Sequence, residues 1–279
     1  MTIGEDLSGG SRRKLLAVLS FLTILLASAC SRSATHESLT VAGSTSIQPF
    51  CDRWAEVYME KTVRCAVNVQ GGGSSAGIQA ARSGAADIGM SSRPLKPEEK
   101  DLVEIVIARD GLAIIVHPDN PVASLTLLEV KAVFEGTVKD WEIVGGRRAP
   151  IHVVSREEGS GTRGAFQELV MGKARIFKGA IVQDSNGTVR EIVAGDPNAV
   201  GYISLGLVDD RVKALRLNGV KATEETIERG GYALVRPFLF VSREEPRGRA
   251  RAFIDFILSE EGQELIRKEG LLPARKGTS

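Results

Sequence analysis

The sequence predicts an α/β fold with mostly parallel sheets, and its length allows two domains. Short runs rich in apolar residues alternate along the chain with segments whose apolar residues recur at helical spacing. Strand and helix in alternation are typical of parallel α/β sheets. The chain of 279 residues is long enough for two domains of about 100–200 residues each. Its hydrophobic share of 43% provides a core of ordinary size.

The strands are predicted from short apolar runs that end near glycine or serine clusters. In chain order they cover 39–42, 64–70, 86–90, 112–117, 151–155, 200–204 and 237–242. The first ends at Gly43 and the second at the triple glycine 71–73. The run at 112–117 is apolar up to its last residue, which is typical of a strand buried on both faces.

The helices are predicted from apolar residues three or four positions apart. They cover 47–58, 78–82, 97–103, 127–134, 162–171, 185–194, 250–258 and 263–268. In the first of them Ile47, Phe50, Trp54 and Tyr58 fall on one face. A proline opens the third, as is common at the first position of a helix.

The first thirty residues have the pattern of a bacterial lipoprotein signal. A basic segment at 12–14 precedes an apolar run at 15–26, and small residues precede Cys30. The run is shorter than the about 20 residues that span a bilayer. We expect a signal peptide at 1–29, acylation of Cys30 and a tether at 30–37, in an exported protein anchored at the membrane and facing the periplasm or the cell exterior. The alternative is an ordinary cleaved signal with an incidental cysteine.

Charge and cysteine content argue against several classes of protein. Lys+Arg number 36 and Asp+Glu 35, so no global field favours nucleic acid. Cys51 and Cys65 have no CxxC neighbour and the three histidines are scattered, so we expect no metal site and no cofactor. We also expect these two cysteines to be unbridged. Their predicted heights in helix and strand differ by more than the about 7 Å that a disulfide allows between Cα atoms.

Three loops at predicted strand-to-helix turns share glycines and small hydroxyl residues: 43–46, 73–77 and 158–162. Glycine lets the backbone approach a ligand closely, and the first N–H groups of a helix have no partner within it. Such a turn binds anions. Helix capping by Ser or Thr is the alternative for any one loop. Because ligands of open α/β sheets bind beyond the carboxyl ends of the strands, the three loops together predict an anion site.

Two arginines add to the predicted site. Arg93 follows Ser92 after the strand 86–90, and Arg156 precedes the third loop. A guanidinium offers a rigid set of donors that suits oxyanions, although either arginine could instead be solvated on the surface. Glu158, two residues beyond Arg156, is expected to hold that guanidinium in place.

The sequence favours a site that binds without catalysis. It contains neither HExxH nor GxxxxGK[ST], and it offers no cysteine–histidine pair that can be placed together. Ser160 lacks an obvious base, because His152 lies at the start of the predicted strand and therefore far from the loop. We expect no enzyme activity.

Several segments taken together resemble one known family. They are 43–49 (GSTSIQP), 72–77 (GGSSAG), 87–94 (DIGMSSRP), 156–162 (REEGSGT) and 198–202 (NAVGY). In them the chain is similar to the phosphate-binding proteins of bacterial phosphate ABC transporters, from about residue 39 to the C-terminus. The pattern Arg-x-x-Gly-Ser-Gly-Thr at 156–162 is the most specific part of the likeness.

The resemblance implies a two-lobed periplasmic-binding-protein (Venus-flytrap) fold of the α/β class, in which two hinge crossings of the chain join the lobes. We expect the crossings near 116–117 and 235–236. Lobe I would then comprise 38–115 and 234–279, and lobe II would comprise 116–233.

The resemblance also implies which residues bind phosphate. Backbone and hydroxyl donors are expected from Thr45, Ser46, Ser74, Ser160, Gly161 and Thr162. Arg156 supplies the charge, Glu158 is its buttress, and Ser92 and Arg93 complete the set. Many relatives carry an aspartate where Ser92 stands, to accept the proton of hydrogen phosphate. This departure leaves the protonation state of the ligand and part of the selectivity open.

The implied function is high-affinity binding of inorganic phosphate and its delivery to an ABC permease of the inner membrane. The protein is expected to act as a monomer held to the membrane by its lipid anchor, without nucleic acid. A receptor of the same fold for sulfate, molybdate or tungstate is one alternative. A lipoprotein that senses phosphate without transport is another, and a phosphatase comes last.

Overall fold

The structure is a computed structural model that describes residues 37–62 and 65–274. The predicted signal peptide 1–29, Cys30 and the tether up to residue 36 lie outside the described residues. Among the helices in the described ranges, none combines the length and the hydropathy that a membrane crossing needs.

Strands and helices alternate through most of the described chain. The strands are β1 (Glu37–Gly43), β2 (Cys65–Gln70), β3 (Ile88–Ser91), β4 (Val103–Val116), β5 (Ser124–Leu125), β6 (His152–Arg156), β7 (Ile181–Gln183), β8 (Ala199–Ser204), β9 (Lys213–Ala214), β10 (Arg216–Leu217), β11 (Val235–Ser242) and β12 (Leu272–Pro273). The helices are α1 (Gln48–Lys61), α2 (Ser74–Ser83), α3 (Leu127–Glu135), α4 (Gly161–Phe166), α5 (Asn186–Gly195), α6 (Glu224–Glu228), α7 (Gly248–Leu258) and α8 (Glu260–Lys268).

Most strands belong to one sheet with the order β2-β1-β3-β11-β4-β8-β6-β7. β1 pairs with β3 in parallel, as β6 does with β7 and β8. At the centre, β4 and β11 run antiparallel to their neighbours, so the expectation of mostly parallel sheets is wrong there. The long strand β4 changes partner along its length, from β11 over 103–111 to β8 over 112–116.

The two largest clusters of buried apolar side chains among the described residues lie toward opposite ends of this central pair of strands. One is built around Phe50, Trp54 and Phe253, and it draws on β4 up to Ala108. The other starts at Leu112 on the same strand, and its members include three stacked or tilted rings, Phe134, Phe166 and Tyr202. Each buried ring contributes about 1.5–3 kcal/mol, so each cluster is a core of its own. The fold is therefore two-lobed, and we call the parts around these clusters the first and the second lobe.

Two predicted helices differ in the structure. The segment 97–103 forms only a 3-10 turn at Pro97–Glu99, because the chain enters β4 already at Val103. The helix predicted over 162–171 begins one residue earlier as α4 and continues as a π-helical turn, Gln167–Met171. Gly172, with φ 59°, ends that turn in a conformation that favours glycine.

Both cysteines of the described chain are unbridged. Cys51 is buried and Cys65 is partly buried. Burial, with a smaller effect from the neighbouring Asp52 charge, raises the pKa of the Cys51 thiol well above its usual range. It is therefore an unreactive thiol that packs in the first core.

Candidate functional site

The three glycine loops predicted as an anion site lie against one another. They follow β1, β2 and β6 and lead into α1, α2 and α4. Gly73 N–H donates to the Gly43 carbonyl at 2.9 Å, which joins two loops of the first lobe. Ser75 N–H donates to the Gly159 carbonyl at 3.1 Å. This second bond links the two lobes, so they are in contact at the loops.

Hydroxyl groups from these loops form a buried cluster. Ser46 Oγ lies 2.7 Å from Thr162 Oγ1, and Ser44 Oγ donates to Ser92 Oγ at 2.9 Å. The N–H of Ser92 donates to Ser74 Oγ at 3.0 Å. All five residues are buried. The structure therefore brings four of the predicted residues, Ser46, Ser74, Ser92 and Thr162, into one group of neutral donors.

Two further predicted residues begin α4. Ser160 is buried, and its Oγ accepts from the Arg163 N–H at 3.2 Å, so it caps the helix. Gly161 leaves no room for a side chain. A Cβ atom there would overlap Ser74 Oγ and lie 2.5 Å from Ser92 Oγ. The first turn of α4 is thus seated directly on the hydroxyl cluster because residue 161 is glycine.

Arg156, at the end of β6, places a guanidinium beside this cluster. Its side chain is 1% exposed. Nη2 donates to Thr45 Oγ1 at 3.1 Å and to the Asp184 carbonyl at 2.7 Å, and Nε donates to the Gln183 carbonyl at 3.2 Å. Nη1 is buried and has no hydrogen-bond partner among the described residues. An unsatisfied buried donor on a charged group is costly, and an anion would satisfy it.

The carboxylate that pairs with Arg156 belongs to Glu157. Its two oxygens lie 3.1 Å from Nε and 3.1 Å from Nη2. The prediction that Glu158 holds the Arg156 guanidinium in place is therefore wrong. Ser160 N–H donates to the Glu157 carbonyl, which closes a turn with residue 158 at its exposed corner. Glu158 there lines a surface cavity of about 550 Å³.

Arg93 does not face the hydroxyl cluster as predicted. Its guanidinium makes a bidentate pair with Glu99, at 2.7 and 2.9 Å, in which both side chains are buried. This pairing lowers the pKa of Glu99. The Arg93 side chain also lines a second cavity of about 550 Å³ with Lys96 and Arg163. The acid six residues further along the chain, in the 3-10 turn, therefore holds it away from the cluster.

A second buried arginine reaches the cluster from β11. Arg236 Nη1 donates to Thr162 Oγ1 at 2.9 Å and to the Ser92 carbonyl at 3.3 Å. Its Nε donates to Asp110 Oδ2 at 2.9 Å, and Nη2 lies 2.8 Å from the same oxygen, off the hydrogen-bond direction. Neither residue was predicted from the sequence as part of the site. Asp110 and Arg236 stand just before the predicted strands 112–117 and 237–242, so a charged residue at the start of each apolar run was the available signal.

Asn186, the first residue of α5, also belongs to the cluster. It is buried, and its Nδ2 donates to Ser46 Oγ at 2.8 Å. Its Oδ1 accepts from the Ser204 N–H at 3.2 Å. Asn186 was missed because a polar residue after the capping Ser185 is ordinary at the start of a helix.

The charges of the cluster balance within the protein. Arg156 is offset by Glu157 and Arg236 by Asp110. Burial raises the pKa of Asp110, while Arg236 lowers it. The pKa of Arg236 is lowered, mainly because the group is buried, and Asp110 opposes this effect. The like charge of Arg156 also lowers the pKa of Arg236, because the two guanidinium groups repel each other. Each guanidinium has one buried nitrogen without a hydrogen-bond partner among the described residues, Nη1 of Arg156 and Nη2 of Arg236, and two such cations near each other attract an anion.

Two of the loops also match short sequence motifs. Residues 73–77 match GxSxG, which is known from hydrolases, and residues 159–164 match GxGxxG, which is known from nucleotide-binding proteins. Their surroundings do not suit that chemistry. The hydroxyl of the central serine of the first, Ser75, accepts from Arg93 Nη2 at 3.4 Å. His152 pairs with Asp196 at the opposite end of β6. Within the described ranges no group of three or more His, Cys, Asp or Glu side chains could hold a metal ion.

Known proteins are similar to this chain in sequence and in fold. The model of the PBP superfamily domain matches residues 29–261. The phosphate-binding protein PstS of Bacillus subtilis (strain 168) is 34% identical over 242 residues, which is 85% of this chain and 80% of that protein. A crystal structure from Clostridium perfringens, of a candidate phosphate ABC transporter substrate-binding protein with bound phosphate, is 44% identical, with a TM-score of 0.83, and covers 86% of this chain and 100% of that one. An ABC-type phosphate transport receptor from Vibrio cholerae is 36% identical, with a TM-score of 0.72, over 85% and 100% of the two chains.

The two-lobed fold and the buried arginine among hydroxyl groups define a solute-binding protein of the periplasmic type. The chain belongs to the PBP superfamily and, within it, to the family of the PstS phosphate-binding proteins.

Proposed function

We propose that the protein binds inorganic phosphate between its two lobes and delivers it to an ABC importer. One observation carries the proposal. The guanidinium of Arg156 is buried, its Nη1 has no partner among the described residues, and its Nη2 reaches across to Thr45 Oγ1 of the first lobe. A charge-assisted hydrogen bond to an oxyanion is about twice as strong as a neutral one, so a dianion would repay the cost of burying that nitrogen.

The residues that we propose as phosphate ligands are those of the cluster. The set is Thr45, Ser46, Ser74, Ser92, Arg156, Ser160, Gly161 and Thr162. Arg93 and Glu158 are left out for the reasons given above. The donors are neutral hydroxyl and backbone groups with one free cationic nitrogen, which suits an anion of several oxygens and supplies no nucleophile with a base.

The lobe limits are also a proposal. With the crossings at β4 and β11, lobe I comprises 38–115 and 234–279, and lobe II comprises 116–233. The division of the two cores between Ala108 and Leu112 favours a crossing on β4 that lies a few residues earlier, around Asp110. The second crossing falls at Arg236, the register partner of Asp110.

We further propose that the protein is an exported monomer without enzyme activity, anchored through lipid on Cys30, and that its partner is an ABC permease. The lipoprotein pattern of the sequence supports the anchor. Metabolic labelling with a fatty acid, compared between the full chain and Cys30→Ala, tests it. Label in both, or in neither, would contradict the anchor.

Calorimetry with phosphate, sulfate and molybdate tests the binding function. The chain from residue 31 contains the whole compact unit 38–279 and is the form to use. We expect one site per chain and a Kd for phosphate in the micromolar range or below, about −8 kcal/mol or more favourable. Tighter binding of sulfate or molybdate than of phosphate would make the protein a receptor for that oxyanion. No heat with any of the three would reject an oxyanion receptor altogether.

A further inference from the structure

We propose that a closed ring of hydrogen bonds, anchored in the buried Arg236–Asp110 pair, makes the phosphate site competent when the lobes close. The inference rests on the proposed function, because it assigns a task at the same site. In order around the ring its members are Ser46, Asn186, Ser204, Asp110, Arg236 and Thr162, and Thr162 returns to Ser46.

Every link of the ring is a direct contact between buried residues. The links from Asn186 to Ser46 and from Asn186 to the Ser204 N–H measure 2.8 and 3.2 Å. Ser204 Oγ donates to Asp110 Oδ1 at 2.9 Å, while the other oxygen of that carboxylate accepts from Arg236 Nε at 2.9 Å. The remaining links, through Thr162, were given above. The side chains of the central ion pair are 1% and 0% exposed.

The ring depends on the position of the two lobes. Asn186, Ser204 and Thr162 belong to the second lobe by the limits proposed above, and the ion pair lies on the two crossing strands. Ser46 is the one member of the ring that lies in the first lobe away from the crossings, whereas Asp110 and Arg236 stand at the crossings themselves. Parting of the lobes about these crossings therefore breaks the two bonds of Ser46 and leaves the rest of the ring in place.

The ring fixes how the hydroxyls of Ser46 and Thr162 can hydrogen-bond. A hydroxyl has one proton and two lone pairs. Ser46 Oγ accepts from Asn186, Thr162 Oγ1 accepts from Arg236, and the two oxygens share one bond 2.7 Å long. Whichever hydroxyl donates in that shared bond, the proton of the other is left. In the closed form the pair therefore offers one proton to an anion.

Stability alone does not account for the ion pair. A buried pair is often no more stable than apolar residues of the same volume. Here the free side of the Arg236 guanidinium is turned to Thr162 and to the Ser92 carbonyl, which are parts of the ligand loops of both lobes. Arg236 and Asn186 are accordingly positioning residues that act on the anion through the hydroxyls of Ser46 and Thr162.

The test compares Asn186→Asp with a matched control, Asn120→Asp, in the chain from residue 31. Asn120 is also a buried asparagine whose Oδ1 accepts from a backbone N–H, that of Val122 at 3.0 Å. Asn186→Asp keeps the acceptor for Ser204, replaces the donor to Ser46 with a carboxylate, and should raise the Kd for phosphate at least tenfold. Asn120→Asp should keep it within twofold.

Two readouts separate this role from a purely structural one. Calorimetry gives the Kd, and small-angle X-ray scattering gives the decrease in radius of gyration at saturating phosphate, which should shrink in Asn186→Asp. Arg236→Lys keeps the positive charge beside Asp110, but it cannot also make the two bonds that Nη1 makes to Thr162 and to the Ser92 carbonyl. We therefore expect its Kd for phosphate to lie between those of the parent and Asn186→Asp. If Asn186→Asp does not fold, the Kd and the decrease in radius of gyration measured for Arg236→Lys test the proposal in its place.

The outcomes are distinct. Asn186→Asp and Arg236→Lys could both unfold at a lower temperature than the parent and yet keep the parental Kd for phosphate and the parental decrease in radius of gyration. That result would contradict the role proposed for the ring and leave the proposed function intact. A parent that binds none of phosphate, sulfate and molybdate would overturn both.

Discussion

Arg156→Ala should weaken phosphate binding by about 3 kcal/mol, within the 2–5 kcal/mol found when one partner of a buried charged pair is removed. The guanidinium is already held in place by Glu157, Thr45 and two carbonyls. Binding an anion to it therefore does not require the loss of side-chain entropy that ordering a mobile arginine would require. Arg236 remains nearby as a second cation, which keeps the loss below the upper limit. Since about 1.4 kcal/mol is tenfold, the Kd should rise roughly a hundredfold.

Titration calorimetry of the parent and Arg156→Ala measures this loss. The variant should fold, because its unpaired partner Glu157 is 34% exposed and can be solvated. Arg82→Ala is the control, since Arg82 pairs with Asp101 on the surface of the first lobe. Its Kd should match the parent. A parental Kd in Arg156→Ala, with the protein folded by circular dichroism, would refute the placement of the anion beside this guanidinium.

Three further predictions follow from the contacts of the site. Glu157→Gln should lower the free energy of unfolding by up to about 1 kcal/mol, because its pair with Arg156 is partly exposed, whereas Glu158→Gln should change it by less than about 0.5 kcal/mol. Urea denaturation measures both, and equal effects would contradict the assignment of the buttress. Gly161→Ala should abolish phosphate binding in calorimetry, since its Cβ overlaps two serine hydroxyls; retained parental affinity would mean that the loops lie further apart than described. Ser92→Asp places a charge where a hydroxyl now accepts a hydrogen bond, so competition calorimetry should show a larger loss of affinity for sulfate than for phosphate, and equal losses would show that this position does not select for a protonated anion.

The local parts of the site could be predicted from the sequence. Loops of glycine and serine after apolar runs fix where strands end and helices begin, so the three loops that carry Ser46, Ser74 and Thr162 were predicted together, and the family resemblance then singled out these residues within them. Arg156 was found because it stands next to the third loop. These inferences use neighbours in the chain, and the structure places the same residues together.

The partners of the charged residues could not be predicted, because they depend on tertiary contacts. Arg236 and Asp110 are 126 positions apart and meet only because β4 and β11 are antiparallel neighbours. The choice between two adjacent acids beside Arg156 depends on a turn that exposes Glu158. Arg93 was misplaced because its acid, Glu99, lies in a segment that was predicted as a helix.

The bond between the Ser75 N–H and the Gly159 carbonyl has a kinetic consequence. It joins main chain to main chain across the lobes, beside hydroxyl groups that are buried. A phosphate bound among these hydroxyls, as proposed, would escape only after this contact has broken, and the lifetime of the complex would then be limited by how often the protein opens. Two oxyanions that differ in equilibrium affinity would then share one upper limit on their rates of release, and a transporter that accepts the anion would have to act first on the lobes.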